Sequence, residues 1–363
     1  MTKSYSIGLD LGGTKLACAL VDHTGQILAF QKESILSLKV DPKTGPTKIV
    51  GVMGEMVAGM KKRFPECFKK GVFRGVGLAS AGPLNVELGE ITHAANFPGW
   101  KRVKIQRLLE DEMRRRRICD RVEFQNDAIA ASRAEGWIGG AQGLRSFAVV
   151  TIGTGIGTGV IFRGHPLQDR GMGSELGHLI LNSMNIKTAK DLDHHTVEGV
   201  ASGTGILRRA RTELGLKVAS VEELVDLAEA QPLFDDAADA LAALCYNLSI
   251  GFNLEKILFS GGLIKVRHLY WNRLKARYKA LITEFNPEFG CPLVVAKAMN
   301  QAGVIGAARL PYHTETDVKP APKKGAPGKK AATLTKKKKP ASPRRRAARN
   351  AASGRQLEMS GLS

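Results

Sequence analysis

The alternation of apolar and polar positions at the start of the chain predicts a β-meander. Apolar side chains occupy every second position of residues 7–11, and the same alternation returns over residues 16–20 after a Gly-Gly turn. A further turn at Asp22–Gly25 leads to a third strand near Ile27–Phe30. Successive side chains of a strand point to opposite faces, so a period of two is typical of strands with one buried face.

The pattern along the rest of the chain is mixed α/β. Val50–Arg63 has the apolar spacing of a helix, Val76–Leu78 is a short apolar strand, and Ile105–Arg117 is predicted to be a charged helix. A second pair of strands, Phe147–Ile152 and Gly159–Phe162, is joined by another glycine-rich turn. Because both halves contain strand, Gly/Thr turn and strand, we expect two related domains that face each other.

The net charge of +20 over 363 residues comes mostly from the end of the chain. From Val318 to Ser363, nine Lys and five Arg stand against one acidic residue, whereas residues 1–317 carry a net charge of only +7. This segment has almost no large apolar side chains to offset the entropy of ordering, so we predict that it is disordered. Nucleic acid, polyphosphate and an anionic membrane surface suit its charge equally well, and a plain solubilising extension is the alternative.

The chain contains no run of 18 apolar residues, which excludes a transmembrane helix. Its N-terminus lacks the charged and then apolar layout of a secretory signal, so we expect a cytoplasmic protein. The five cysteines are scattered without a Cys-x-x-Cys spacing, and we expect them to be reduced and mostly buried.

Two glycine-rich turns are candidate phosphate sites. In DLGGTK (Asp10–Lys15), the glycines let backbone N–H groups approach an anion, Thr14 adds a hydroxyl donor, and Asp10 could hold a hydrated Mg²⁺. In TIGTGIGTG (Thr151–Gly159) the same composition recurs between strands, so two turns could grip phosphates from opposite sides. Ordinary hairpin chemistry also explains each turn alone. Thr158 breaks the G-x-G-x-x-G pattern and no P-loop is present, which disfavours both of those nucleotide sites.

Three further segments carry candidate chemistry. Phe259–Gly262 ends an apolar strand with glycines that permit approach by adenine, or it is a plain strand-to-helix turn. In FQND, Asn126 or Asp127 either caps the following helix or binds the substrate hydroxyl, with Asp127 as general base. In SELGH, Glu175 and His178 are a structural pair or, with Glu198, bind sugar hydroxyls.

Eight short motifs together resemble the ROK family of sugar kinases and sugar-responsive repressors. They follow the family's order and approximate spacing over roughly residues 5–310: DLGGTK (10–15), SAGPLN (80–85), AANFPGW (94–100), QNDA (125–128), TIGTGIGTG (151–159), ELGH (175–178), EGVASGTG (198–205) and FSGGL (259–263). The resemblance implies an α/β protein of two actin-like, ribonuclease-H-like domains around a nucleotide and sugar cleft. It places one domain at 1–125, completed by a returning helix near 300–312, and a second at 126–299. The composition adds a disordered basic tail at 313–363.

The resemblance also implies the roles of individual residues. Asp127 is the expected catalytic base, and Asp10 the residue that holds Mg²⁺ through water. The implied ATP-binding set is Asp10, Gly12, Gly13, Thr14, Lys15, Gly153, Thr154, Gly155, Ser260, Gly261 and Gly262. The implied sugar-binding set is Asn96, Asn126, Asp127, Glu175, His178 and Glu198. A homodimer is the expected assembly.

One departure from the family concerns zinc. Many members bind zinc through the histidine of the ELGH-type motif and three cysteines just before the equivalent of Glu198, but residues 179–198 contain no cysteine. We therefore predict no zinc site, with His178 left as a sugar contact. Four nearby residues are interpreted either as substitute zinc ligands or as simple polar surface: Asp191, Asp193, His194 and His195. Polyphosphate-using glucokinases of the family also lack these cysteines, so polyphosphate stays open as donor.

The function expected from these residues is ATP-dependent phosphorylation of a hexose primary hydroxyl, with glucose converted to glucose 6-phosphate. The alternatives are a polyphosphate-using glucokinase, a kinase for fructose, mannose or an N-acetylhexosamine, and a non-catalytic sugar-sensing regulator with a nucleic-acid-binding tail. Repressors of the family usually carry a helix-turn-helix before the DLGGTK-like strand. Since that strand starts by about residue 6 here, we expect the kinase.

Overall fold

The computed structural model describes residues 3–92, 96–169, 173–183, 186–188, 191–298 and 301–312. The predicted tail at 313–363 and the two alanines that open the AANFPGW motif lie outside the described residues. Within the described ranges, no helix combines the length and apolar character needed to cross a bilayer.

The first half of the chain builds a five-stranded sheet, which we call the first lobe. Its elements are, in chain order, β1 (Tyr5–Leu11), β2 (Lys15–Asp22), β3 (Ile27–Ser34), α1 (Gly45–Arg63), β4 (Phe73–Ser80), β5 (Leu84–Asn85), β6 (Glu90–Ile91), α2 (Ile105–Arg115) and β7 (Val122–Asn126). The sheet order is β3-β2-β1-β4-β7, and β5 pairs with β6 separately. The predicted meander is therefore confirmed, and its alternating apolar residues Ile7, Leu9 and Leu11 pack in one core with Ile49 and Met53 of α1.

The second half repeats this plan as the second lobe. Its elements are α3 (Asp127–Trp137), β8 (Phe147–Ile152), β9 (Ile156–Phe162), β10 (His165–Pro166), α4 (Val197–Ala201), α5 (Gly203–Glu213), α6 (Gln231–Phe252), β11 (Lys256–Ser260), α7 (Trp271–Phe285) and β12 (Leu293–Val295). The sheet order is β10-β9-β8-β11-β12, with β8 antiparallel to β9 and parallel to β11. Each lobe thus contains a strand, a glycine turn and an antiparallel strand, as the sequence repeat predicts.

A final helix, α8 (Ala302–Arg309), packs against β1, β2 and β4 of the first sheet. The contact is close because the facing positions are glycines: a Cβ on Gly8 of β1 would overlap the carbonyl oxygen of Val304. A Cβ on Gly306 would likewise overlap the carbonyl oxygen of Ala130 in α3. The helix therefore packs at backbone distance against both the first sheet and the first helix of the second lobe.

Several element boundaries differ from the sequence predictions. Helix α1 begins at Gly45 rather than near Val50, because Pro46 occupies its first turn where a backbone N–H is not needed. Helix α2 ends at Arg115 rather than at Arg117, whose φ of 53° is left-handed. Strand β9 begins at residue 156, so the turn before it is shorter than predicted. The domain boundaries at 125 and 299 stay predictions.

The cysteines match the expectation that they are mostly buried. All five are free, and four of them are buried, with Cys119 partly exposed. Burial raises the pKa of the Cys119 thiol to about 11, so it is protonated near neutral pH.

Candidate functional site

Asn126 and Asp127 lie where β7 ends and α3 begins. The Asn126 Oδ1 accepts hydrogen bonds from the backbone N–H groups of Ala128, at 2.9 Å, and Ile129, at 3.3 Å. The capping interpretation of Asn126 is therefore confirmed, and it fixes the start of α3. Asp127 uses one carboxylate oxygen, Oδ1, to accept from the Ala128 N–H at 2.8 Å.

Asp10 emerges at the same edge of the first sheet as Asp127. Strands β1, β4 and β7 are parallel, and Asp10 lies opposite Ala79, which lies opposite Gln125. The carboxyl ends of parallel strands meet at one edge, so residues 126 and 127 come out beside Asp10. A pair of carboxylates 117 positions apart in sequence is thus brought together by strand register.

Burial and this proximity change the acidity of both carboxyl groups. The pKa of Asp127 is raised to about 7, first because burial removes water from it and second because the charge of Asp10 lies nearby. The charge of Glu175 acts in the same direction, while the Ala128 N–H acts in the opposite one. Burial also raises the pKa of Asp10 to about 6, against the charge of Lys32. Two carboxylates that lose water and repel each other are typical of a reactive centre.

The chemistry at Asp10 fits a bound magnesium ion. Its carboxylate accepts no hydrogen bond from any described residue, although burial has removed much of its water. Hard carboxylate oxygens are ligands that Mg²⁺ accepts directly or through water. A dication here would replace the missing solvation of Asp10.

The first glycine turn connects β1 to β2. The Gly12 N–H donates to the Lys15 carbonyl oxygen at 3.0 Å, which closes the hairpin. Gly13 lies against the side chain of Asn96, because a Cβ there would fall 2.7 Å from Asn96 Oδ1. Thus Asn96, a residue of the predicted sugar set, is in contact with the predicted ATP turn.

The second glycine turn, Gly153–Gly155, connects β8 to β9 and is tied to Glu198. The Glu198 Oε2 accepts from the Ile156 N–H at 2.6 Å, and a Cβ on Gly155 would lie 2.5 Å from the same oxygen. Glu198, predicted to bind sugar, is therefore also bound to the predicted ATP turn of its own lobe.

The N-terminus of α5 supports this second turn from behind. The Gly203 N–H donates to the Gly153 carbonyl oxygen at 2.8 Å, and the Thr204 N–H to the Thr154 carbonyl oxygen at 3.2 Å. No role for Gly203 or Thr204 is predicted from the sequence. Their place in the EGVASGTG motif is the only sign of them in the sequence, because their hydrogen bonds join two segments about 50 residues apart.

The third turn, Ser260–Gly262, lies beside the second one. Gly261 has a φ of 97°, and a Cβ there would overlap the backbone of Ile152, the last residue of β8. Leu263 comes within 3.3 Å of a Cβ placed on Gly203. The structure therefore groups the two predicted ATP segments of the second lobe, whereas Asp10 and the Gly12–Lys15 turn belong to the first.

The residues on both sides of Glu175 are held by a threonine, Thr158. The buried Thr158 Oγ1 donates to the Ser174 carbonyl oxygen and accepts from the Leu176 N–H at 3.0 Å, so it fixes both neighbours of Glu175. In the sequence, Thr158 does no more than break a dinucleotide-binding pattern. Its role is invisible in sequence because the two segments it joins are 16 residues apart.

Glu175, His178 and Glu198 lie close enough for their charges to interact. Burial raises the pKa of Glu175, the charge of His178 lowers it and that of Glu198 raises it. The Glu175 Oε1 and the Asn126 Nδ2 both lie 3.3 Å from the position of a Cβ on Gly82. A cavity of about 60 Å³ opens here, lined by Pro83, Leu84, Gln125, Asn126, Gln168, Gly173 and Glu175. Asn126 and Glu175 thus lie near Asp127, and His178 and Glu198 lie near Glu175. Asn96 instead contacts Gly13.

The residues considered as substitute zinc ligands do not form a described metal cluster. Within the residues that the structure covers, no group of three or more His, Cys, Asp and Glu side chains has a metal-binding arrangement. Asp191 instead accepts hydrogen bonds from the backbone N–H and hydroxyl of Thr188. The absence of zinc stays a prediction, and the side chain of Asp193 is outside the described part.

Comparison with known proteins gives a consistent result. The chain is 28% identical over 338 residues to a glucokinase from Halalkalibacterium halodurans, a match that covers 88% of this chain and 98% of the relative. It is 29% identical over 334 residues to a glucokinase from Thermotoga maritima, covering 85% and 98%. The crystal structure of a ROK hexokinase from Thermus thermophilus superimposes with a TM-score of 0.70 at 29% identity, covering 86% of this chain and 98% of that one.

These likenesses confirm the predicted α/β fold of two actin-like lobes. They extend over nearly all of the chain before the basic tail. A family model described as the ROK family matches residues 6–313, so the match includes every candidate site residue. The chain therefore belongs to the ROK family.

Proposed function

We propose that this protein is an ATP-dependent hexokinase that transfers a phosphoryl group to the primary hydroxyl of a hexose, with glucose as the first substrate to test. The coarser assignment, a sugar kinase phosphotransferase, follows from family membership and from relatives named glucokinase. The observation that carries the finer proposal is the partly buried carboxylate of Asp127 beside Asp10, at the edge of the sheet where the first glycine turn also lies.

Asp127 acts as the general base in this proposal. A pKa near 7 leaves about half of the carboxyl groups ionised at neutral pH, and a base of this strength can accept a proton from a substrate hydroxyl during the transfer. Its Oδ1 is held by the Ala128 N–H, which orients the carboxylate. Asn126 is fixed by the capping bonds that its Oδ1 accepts, and its Nδ2 is left to donate to the sugar hydroxyl.

The glycine turns bind the donor. Their backbone N–H groups and the hydroxyls of Thr14 and Thr154 stabilise the negative charge that develops on the phosphoryl group during transfer. Asp10 would hold Mg²⁺ through water, and the ion when bound would neutralise negative charge on the donor. Ser260–Gly262 lies beside the second turn and accommodates the nucleoside.

Glu175, His178 and Glu198 bind the sugar hydroxyls together with Asn96 and Asn126. Carboxylates accept hydrogen bonds from hydroxyls, and the imidazole can donate or accept one. Closure of the two lobes would exclude water, which would otherwise compete with the sugar as phosphoryl acceptor.

A coupled assay with a panel of hexoses and two donors tests the proposal. The full-length protein is assayed with glucose, mannose, fructose and N-acetylated hexosamines, each with ATP·Mg²⁺ and with polyphosphate. We expect the highest kcat/KM for glucose with ATP. Faster turnover with polyphosphate or another hexose would replace the donor or the sugar in the proposal, and sugar binding without turnover in any combination would support the regulator instead.

A further inference from the structure

Lys39 joins the two ligand-binding parts of the first lobe. Its ammonium Nζ donates hydrogen bonds to the Gly13 carbonyl oxygen at 2.5 Å and to the Asn96 carbonyl oxygen at 2.9 Å. Gly13 belongs to the turn assigned to ATP and Asn96 to the residues assigned to the sugar. A single side chain, 26 residues from one partner and 57 from the other, therefore bridges the donor and acceptor segments.

The backbone holds Lys39 in this place. The N–H groups of Leu38 and Lys39 both donate to the Ile35 carbonyl oxygen at 3.1 Å, which forms a tight turn after β3. The Ile35 N–H donates in turn to the Thr14 carbonyl oxygen at 3.1 Å, and the Ile35 side chain is fully buried. The turn that carries Lys39 is thus attached directly to the glycine turn.

The charge of Lys39 is not neutralised by a carboxylate. Among the described residues Lys39 forms no ion pair, and both acceptors of its hydrogen bonds are backbone carbonyl oxygens. An ammonium group has three N–H donors, so one remains after these two bonds. The Lys39 side chain is therefore not part of an acid–base network. What it does structurally is connect the Gly13 turn to the Asn96 segment.

We propose that Lys39 is a positioning residue that couples sugar binding to donor binding by tying the Asn96 segment to the Gly13 turn. This inference rests on the proposed function of the same site. A ligand that orders either segment also orders the other through the bridge, so the second ligand meets a site that is already arranged. Such coupling is reciprocal, because the factor by which the donor tightens sugar binding equals the factor by which the sugar tightens donor binding.

The experiment measures this coupling directly. The glucose Kd of the full-length protein is determined by calorimetry with and without a non-hydrolysable ATP analogue and Mg²⁺. Lys39→Met removes the ammonium and keeps a similar length, and Lys39→Arg keeps hydrogen-bond donors. Lys43→Met is the matched control, because Lys43 lies four residues from Lys39 and carries the same charge. Among the described residues, the Lys43 side chain makes no hydrogen bond or ion pair.

We expect the analogue to tighten glucose binding to the wild type by about 5-fold or more, and Lys39→Met to reduce this factor below about 2-fold. Lys39→Arg should retain part of it, and Lys43→Met all of it. A wild-type factor near one, or an unchanged factor in Lys39→Met, would overturn the inference. If circular dichroism shows that Lys39→Met does not fold, Lys39→Arg decides. A folded Arg variant in which the analogue tightens glucose binding by the full wild-type factor, as in Lys43→Met, would contradict the inference.

Failure of the proposed function gives a different result. In that case the wild type does not phosphorylate glucose with ATP, and the inference falls together with the function on which it rests. If the wild type is an active kinase but the coupling does not depend on Lys39, the proposed function stands and only this inference falls.

Discussion

Glu198 and Gly155 are in direct contact, since the Glu198 Oε2 lies 2.5 Å from where a Cβ of Gly155 would be. The same relationship occurs in the first lobe between Asn96 and Gly13, at 2.7 Å. In each lobe a residue of the proposed sugar set therefore rests on the proposed phosphate turn. These two glycines leave room for a sugar-binding side chain as well as for the donor.

Gly155→Ala should impair sugar binding more than donor binding. The added methyl group displaces the Glu198 carboxylate and breaks its hydrogen bond to the Ile156 N–H, a charge-assisted bond. Such a loss corresponds to a rise of about 10-fold or more in the sugar KM. The comparison is Gly153→Ala, where nothing lies within 4 Å of the added Cβ. Steady-state kinetics should show the sugar KM of that variant within about 2-fold of wild type, and equal sugar KM values for the two variants would contradict the assignment.

Thr158→Val should loosen Glu175 without touching the substrate. Valine has the same shape but removes the hydroxyl that fixes Ser174 and Leu176, and it leaves the Leu176 N–H without its partner. We expect about 1–3 kcal/mol less stability in denaturant unfolding and a raised sugar KM. Thr158→Ser restores the hydroxyl and serves as the control. A Val variant with wild-type sugar KM would show that Glu175 does not depend on this anchor.

The rate of the reaction should fall on the acidic side of neutrality. Asp127 must be ionised to accept a proton, and its pKa in the ligand-free protein is raised to about 7. The kcat/KM for the sugar should therefore decrease as the pH is lowered through about 7. Because the charge of Asp10 contributes to this pKa, Asp10→Asn should move the acidic limb to lower pH. A profile that is flat between pH 5 and 8 would exclude Asp127 as the base.

Asp127→Asn should make the protein more stable at pH 8. The pKa of Asp127 rises from 3.8 to about 7 on folding, so between these values the folded protein binds more protons than the unfolded chain. Wild-type stability therefore falls as the pH rises from about 4 to about 7 and stays low above that. Asparagine carries no charge to desolvate, and we expect a gain of more than about 1 kcal/mol at pH 8. Unfolding at pH 5 and pH 8 measures it, and an equal effect at both values would contradict the proposed environment of Asp127.

The sequence was sufficient to predict features that depend on neighbours along the chain. The β1–β2 hairpin and the capping of α3 by Asn126 were predictable because alternation and capping act over a few residues. Lys39 and Thr158 could not be identified in this way, since each acts on segments that only the folded chain brings near. The acidity of Asp127 was equally hidden, because it depends on a strand register that places Asp10 beside it.

The most direct test of the account is the turnover of Asp127→Asn with glucose and ATP·Mg²⁺ at saturation. If Asp127 is the base, the kcat should fall by about 10²–10⁴-fold, while the glucose Kd changes far less and the fold is retained. A purified, folded variant that phosphorylates glucose at close to the wild-type rate would contradict the account.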